Sequence, residues 1–149
     1  MRKYSNFEII QIVETLHSFE NKKIPFDVGY AIAKNLKIFS DEYNIYTKQL
    51  NNIFEEYKEH FLKDDNGNIK INEKMGIPMV DDESKMKYVE DINKLLSFNA
   101  SVDPYLIDEI EFKSALKYDA NNKEYEVLAP KDIYKLMNIL CPNAKDDSK

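Results

Sequence analysis

Apolar residues recur at alternating intervals of four and three between Pro25 and Lys63. Such heptad spacing predicts one long amphipathic helix, and after Gly29 neither glycine nor proline interrupts it. The seam consists of Ile32, Leu36, Phe39, Tyr43, Tyr46, Leu50, Ile53 and Tyr57. A second apolar line widens the face and predicts packing partners on two sides; it comprises Val28, Ala31, Ile38, Ile45 and Phe54.

The predicted helix is long relative to the rest of the chain. At 1.5 Å per residue it would span about 55 Å. A chain of this size is expected to have a radius of gyration of roughly 15 Å. The helix must therefore project, bend or be covered by another copy of the chain. We expect a homodimer formed through its exposed part, because apolar surface in excess of the domain needs a partner.

Local signals elsewhere predict shorter elements around this helix. Ser5 and Glu8 have the spacing of a capping box, and Pro130 suits the first position of a last helix. Three further helices are predicted, at about residues 6–20, 81–98 and 130–141, the second returning antiparallel along the long helix. Short strands are predicted at about residues 69–71, 105–112 and 124–128. The fold class is mostly α (α+β), a single domain over residues 1–149 with a small β element.

Charge and cysteine content limit the class of protein. The chain of 149 residues has a net charge of −6 and a pI near 5.0. It lacks the basic stripe of a nucleic-acid binder, so direct nucleic-acid binding is not expected. Its one cysteine, Cys141, fits a reducing compartment. Neither a signal peptide nor a membrane span is expected, which places the protein in a bacterial cytoplasm with no membrane partner.

Candidate chemical sites are weak when their spacing is examined. Starting a calcium loop at Asp64 puts Ile69 where glycine is required, so that interpretation fails. A single Glu14 and His17 pair falls short of the four glutamates and two histidines of a di-iron bundle, and exposed or core-edge histidines are the preferred interpretation. We predict no catalytic, cofactor-binding or metal-binding residue.

One enzymatic alternative remains open. Asp103, Glu111 and Lys113 could form the two acids and lysine of a metal-dependent nuclease if they lie together on a strand. The preferred interpretation is a strand with a polar face turned to solvent, because so loose a motif match often arises by chance.

Candidate partner-binding residues fall into two chemical groups. Acidic clusters could meet a basic surface, and they comprise Asp81, Asp82, Glu83, Asp108, Glu109 and Glu111. Tyr43, Tyr46 and Tyr57 place hydroxyl groups along the seam, which is common at partly wet interfaces. The alternative for the tyrosines is that they border an ordinary core, and we favour that interpretation.

Residues 24–72 contain Ile24-Pro25, the run from Tyr30 to Leu36 and a turn from Lys63 to Asn68. Chiefly through these residues, the chain resembles a group of small proteins of unknown function encoded by phages and prophages of low-GC bacteria. The helix that starts at Ala129-Pro130-Lys131-Asp132 is similar to their C-terminal segment, whereas residues 72–81 depart from the pattern. The resemblance implies a phage setting and transfers no catalytic motif.

Three functions are consistent with these observations. The first is a non-enzymatic phage protein that binds and inhibits a host component, such as a CRISPR effector of the bacterial defence. The second is a structural or assembly accessory protein of the virion. The third is a nucleotide-sequestering protein, with a pocket at a dimer interface, or the nuclease-like protein described above. We favour the first, because the chain is small and acidic and spells out no nucleophile and base pair.

Overall fold

The computed structural model describes residues 1–119 and 128–142, except for the side chains of residues 116–119. Its helices are α1 (Asn6–Ser18), α2 (Phe26–Tyr57), α3 (Asp82–Ser97), α4 (Glu109–Asp119) and α5 (Pro130–Leu140). Its strands are β1 (Arg2–Ser5), β2 (Ile71–Asn72), β3 (Ile77–Pro78) and β4 (Asn99–Val102). The predicted fold class, mostly α with a small β content, is confirmed.

The long helix α2 is confirmed, although it is shorter than predicted. It runs uninterrupted for 32 residues, which is about 48 Å. A short 3-10 helix, Lys58–His60, follows it, and Phe61 has an extended backbone. Phe61 forms a β-bridge with Val80 and its ring packs on Phe54 and Tyr88. The helix therefore ends before Lys63 because its last predicted turn is used to build a second core.

Two hydrophobic cores lie along α2. The larger one surrounds its N-terminal half, where fully buried Phe39 belongs to a cluster that includes residues of α1, α4 and α5. The smaller one surrounds its C-terminal half, where Tyr57 packs with Tyr88 and Ile92 of α3 and with residues around the β2–β3 hairpin. Helix α3 returns along α2, as predicted, and α2 joins the two cores.

The chain itself covers the seam that was expected to need a second copy. The seam residues Ile32, Phe39, Tyr46 and Tyr57 are buried, and the others are half-buried. Among the second apolar line, Ile45 is 57% exposed. The expected excess of apolar surface on this face is therefore wrong, because α1, α3 and α4 pack against α2. The homodimer remains a prediction, but it is no longer supported by an excess of apolar surface on α2.

The first sheet was not predicted. Strand β1 pairs antiparallel with β4, with Arg2 opposite Val102 and Ser5 opposite Asn99. Asn6, next to β1, fixes the same junction: its backbone N–H donates to the carbonyl of Phe98 at 3.0 Å and its side-chain amide to that of Leu95 at 2.8 Å.

The turn that follows α2, ahead of the β2–β3 hairpin, is held by hydrogen bonds between a side chain and the backbone. Asp64 Oδ1 accepts from the N–H groups of Asn66 and Asn68, each at 2.9 Å, and Gly67 takes a φ of 82° that favours glycine. The predicted turn at Asn66-Gly67 is confirmed. The predicted strand at 69–71 is confirmed in part, because β2 comprises Ile71–Asn72 and Ile69 forms an isolated bridge with Lys63.

The segment after β4 differs from its prediction. The strand predicted at 105–112 is wrong, because residues 103–108 are irregular and α4 starts at Glu109. Asp108 starts that helix by accepting from the N–H of Ile110 at 3.0 Å, while Phe112 is buried in the larger core. The strand predicted at 124–128 lies outside the described residues but for Leu128.

Helices α1, α3 and α5 form where the local signals predicted them. The capping box is present: Ser5 Oγ accepts from the N–H of Glu8 at 3.1 Å, and Glu8 reaches back to the N–H of Ser5. Pro130 occupies the first turn of α5, whose residues Leu136 and Leu140 are fully buried. Among the described residues, no helix is both long enough and apolar enough to cross a membrane.

Candidate functional site: an exposed aromatic patch

Three aromatic side chains form a connected cluster on the surface at the start of α2. Phe26, Tyr30 and Tyr105 are 77%, 44% and 40% exposed. We call Phe26, Tyr30, Lys34 and Tyr105 the aromatic patch. Large aromatic side chains are normally shielded from water, so a group of them left exposed and ordered marks a surface suited to a partner.

Ring contacts hold the aromatic patch together. The rings of Phe26 and Tyr30 stack with their centroids 5.9 Å apart, a contact that the four-residue spacing on one helix permits. Tyr105 meets Tyr30 edge to face at 5.6 Å. The ammonium of Lys34 lies 5.7 Å from the centroid of the Tyr30 ring, within range of a cation–π interaction.

A buried amide places Tyr105 beside α2. Asn35 is fully buried, and its Oδ1 accepts from the backbone N–H of Tyr105 at 2.8 Å. Its Nδ2 donates to the backbone carbonyls of Tyr105 at 2.6 Å and Ala31 at 2.9 Å. The amide thus satisfies both backbone groups of Tyr105 and leaves its side chain on the surface. Tyr105 is therefore held at the patch by hydrogen bonds to its backbone rather than by burial of its ring.

The predicted acidic residues Asp108, Glu109 and Glu111 follow Tyr105 closely in the chain. Asp108 is the fourth residue counting from Tyr105, so the two Cα atoms are at most about 11 Å apart. Asp108 and Glu111 are exposed and Glu109 is partly exposed. Glu109 forms an ion pair with Lys113 at 2.7 Å, and this raises the pKa of the lysine. Asp108 is therefore near Tyr105, and Glu109 and Glu111 follow it in the first turn of α4.

The other predicted acidic cluster performs a structural task. Asp81 caps α3, accepting from the N–H of Ser84 at 2.9 Å, and its second oxygen pairs with His60 Nδ1 at 2.9 Å. The hydrogen bonds from His60 and Ser84 lower the pKa of Asp81 below its usual value. Asp82 and Glu83 occupy the first turn and are exposed.

The predicted seam tyrosines point inward. Tyr46 and Tyr57 are buried, and Tyr43 packs half-buried against the larger core. The hydroxyl of Tyr57 donates to Asp91 at 2.8 Å; burial, and then this hydrogen bond, raises its pKa to about 12. Their surroundings match the favoured interpretation, in which these tyrosines belong to a core, and leave Tyr46 and Tyr57 closed to a partner.

The candidate nuclease residues are not brought into one site. The strand that should carry them is irregular chain followed by α4, and Lys113 pairs with Glu109 instead of facing Asp103. Within residues 1–119 and 128–142, no three acids, histidines or cysteines are grouped so that they could hold a metal ion. Glu14 and His17 lie on α1, where exposed His17 pairs with Glu20 at 3.0 Å.

Two open cavities flank the contact of α1 with α2, and no residue of the aromatic patch lines either of them. Their volumes are about 410 Å³, beside Phe19 and Ala33, and about 520 Å³, beside His17 and Tyr43. Ser40 lines both. Neither contains converging buried polar groups, which a specific small-molecule site would provide.

Sequence reasoning missed the aromatic patch. Phe26 and Tyr30 lie off the heptad seam, and their spacing of four was the one local signal that they share a helix face. Tyr105 was assigned to a strand, and Asn35 was passed over as a polar residue of the helix.

Searches for similar proteins found no match to this chain among protein-family models, curated proteins or solved structures.

Proposed function

We propose that this chain is a non-enzymatic binding protein, encoded by a phage, that inhibits a component of the host in the bacterial cytoplasm. The target class we propose is a bacterial defence system such as a CRISPR effector. In this proposal the aromatic patch is the docking surface, and it acts with the acidic residues that follow Tyr105.

The observation that carries the proposal is an exposed aromatic cluster held in place before any partner arrives. Aromatic residues dominate the energetics of protein interfaces, and a surface that needs no ordering loses less entropy on binding. The acidic cluster at Asp108 to Glu111 adds charge that can steer a basic partner toward the patch.

The test compares the wild-type chain with a Phe26→Ala, Tyr105→Ala double variant in a host that carries a defence system. We expect expression of the wild-type chain to restore plating of a restricted phage and the double variant to lose this effect. Phe98→Ala serves as the matched control, because it removes an exposed aromatic outside the patch. Equal activity of the double variant and the wild type would contradict the proposed surface.

The virion-associated alternative is separated by a different measurement. An accessory structural protein would be found in purified particles at a fixed ratio to the capsid protein, whereas a cytoplasmic inhibitor would be left in the lysate. Size-exclusion chromatography with light scattering tests the predicted homodimer independently, and a monomer at high micromolar concentration would remove it.

A further inference from the structure

We infer that the aromatic patch, together with the acidic cluster Asp108, Glu109 and Glu111, recognises an arginine-rich segment of a protein partner. This inference rests on the proposed function and specifies the chemistry of the partner.

The rings of the patch can accept a cation. Lys34 already places its ammonium 5.7 Å from the centroid of Tyr30, so one ring face carries a positive charge within the chain itself. Phe26 and Tyr105 have no such cation among the described residues, and they are 77% and 40% exposed. Their ring faces are available to a cation from a partner, and arginine is the side chain that stacks best on aromatic faces.

Carboxylates beside the patch favour arginine further. Asp108 and Glu111 are exposed within six residues of Tyr105, and Asp27 and Asp103 are exposed beside Phe26 and Tyr105 in the chain. A guanidinium can stack on a ring with its plane while its N–H groups bind a carboxylate in a bidentate manner, which an ammonium cannot do. The combination of rings and acids therefore selects arginine over lysine.

The charge of the surroundings decides between a polypeptide and a nucleic acid. Exposed aromatics beside a lysine could also stack on unpaired bases. The chain, however, has a net charge of −6. Within six positions of Phe26 or Tyr105 along the chain there are six acids against two lysines, so negative charge prevails even with Lys34 added, and phosphates would be repelled. A basic polypeptide meets attraction from the same charges.

Lys34 gives a test with opposite signs for the two partners. Lys34→Ala removes a cation that competes for Tyr30, so it should tighten binding of an arginine-rich peptide by about threefold or more. The same substitution should weaken binding of a nucleic acid, which would lose a phosphate contact. Alanine suits an exposed helix position, so the fold is retained.

The experiment measures fluorescence anisotropy of three labelled probes with the full chain. They are a short arginine-rich peptide, a lysine peptide of equal length and charge, and an oligodeoxythymidine. We expect the arginine peptide to bind about tenfold more tightly than the lysine peptide. Tyr105→Ala should weaken the arginine peptide by about fivefold or more while it keeps the fold, because Asn35 binds only backbone atoms of Tyr105.

Two matched glutamates complete the design. Glu111 and Glu83 each lie in the first turn of a helix, and only Glu111 lies in the cluster that follows Tyr105. Glu111→Gln should weaken the arginine peptide, and Glu83→Gln should leave it unchanged. Equal affinity for both peptides, equal effects of the two glutamate variants, or weaker peptide binding by Lys34→Ala would each overturn the inference.

Failure of the partner class can be distinguished from failure of the proposed function. If no arginine peptide binds but the Phe26→Ala, Tyr105→Ala variant loses activity in the host, the docking surface stands and the arginine inference is wrong. Preferential binding of the oligodeoxythymidine, weakened by Lys34→Ala, would overturn the inference in favour of a nucleic acid.

Discussion

The two halves of α2 use buried polar groups in different ways. In the N-terminal half, Asn35 binds the backbone of Tyr105 and leaves that tyrosine's ring on the surface. In the C-terminal half, the hydroxyl of Tyr57 donates a hydrogen bond to Asp91, and its ring packs on the ring of Tyr88. A tyrosine is thus structural where its hydroxyl is used inside, and it is available to a partner where a neighbouring amide fixes its backbone. Both halves pack a core, but only the N-terminal half also holds an exposed tyrosine in place through its backbone.

The largest loss of stability is expected when Phe39 or Ile92, one buried residue from each core, is replaced. Phe39→Ala should lower the free energy of unfolding by about 3–5 kcal/mol, because Phe39 is fully buried in the larger core. Ile92→Ala in the smaller core should cost roughly 2–4 kcal/mol. Urea denaturation gives both values. Hydrogen exchange should show the Ile92 variant opening mainly around α3 and the hairpin, and uniform opening by both variants would erase the distinction between the cores.

The next largest loss of stability is expected when Asn35, whose buried amide binds the backbone of Tyr105, is replaced. Asn35→Ala removes the partner of two backbone groups of Tyr105 and should destabilise the fold by about 2–3 kcal/mol. Asn44→Ala is the matched control, since Asn44 is exposed on the same helix and should change stability little. If Asn35→Ala kept full stability and an unchanged amide protection at Tyr105, Asn35 would not be the residue that fixes the patch.

A smaller loss of stability is expected when the hydroxyl of Tyr57, in the C-terminal half of α2, is removed. Tyr57→Phe keeps the ring and removes the hydrogen bond to Asp91, which should cost about 1–2 kcal/mol by thermal or urea denaturation. Thr47→Val, a control on the same helix, removes a hydroxyl bonded only to the carbonyl of its own turn and should cost less. A neutral Tyr57→Phe would show that the ring alone anchors this half.

The dependence of stability on alkaline pH tests the role of Tyr57 in a second way. The pKa of Tyr57 is raised from 10.0 to about 12 in the folded chain, so the unfolded chain loses this proton first. The stabilisation from Tyr57 is therefore complete below pH 10 and is lost as the pH rises through 12. Burial raises the pKa of Tyr88 to about 12 in the same direction. Stability measured across this range should fall less steeply in Tyr57→Phe, and parallel curves would contradict the assignment.

The smallest effect is expected at the cap of α3. Asp81→Asn keeps an acceptor for the N–H of Ser84 and loses the charge that pairs with His60. Because the folded pKa of Asp81 is lowered, its contribution is present above the ordinary value of 3.8 and is lost as the pH falls through the lower folded value. The melting temperatures of variant and wild type should differ slightly at neutral pH and converge in acid; a constant difference would exclude a role for the charge.

How far the sequence predicts this chain depends on the range of each interaction. The capping box of α1, the apolar period of α2 and the proline that starts α5 act within a few residues, so periodicity and caps located those helices. The β1–β4 sheet joins residues almost a hundred positions apart, and no local pattern marks such a pairing. The start of α4 was misassigned to a strand at 105–112 because a short apolar stretch suits strand and helix alike.

The sequence by itself determined a long amphipathic helix, three shorter helices, a glycine turn and an acidic surface, because side-chain spacing and backbone preference act locally. Only the tertiary structure decided that the chain covers its own seam and that Tyr105 meets Tyr30. The hydrogen bonds of Asn35 reach 70 residues along the chain, so they exist only after the fold has closed that distance. The candidate site is for this reason a property of packing rather than of any sequence motif.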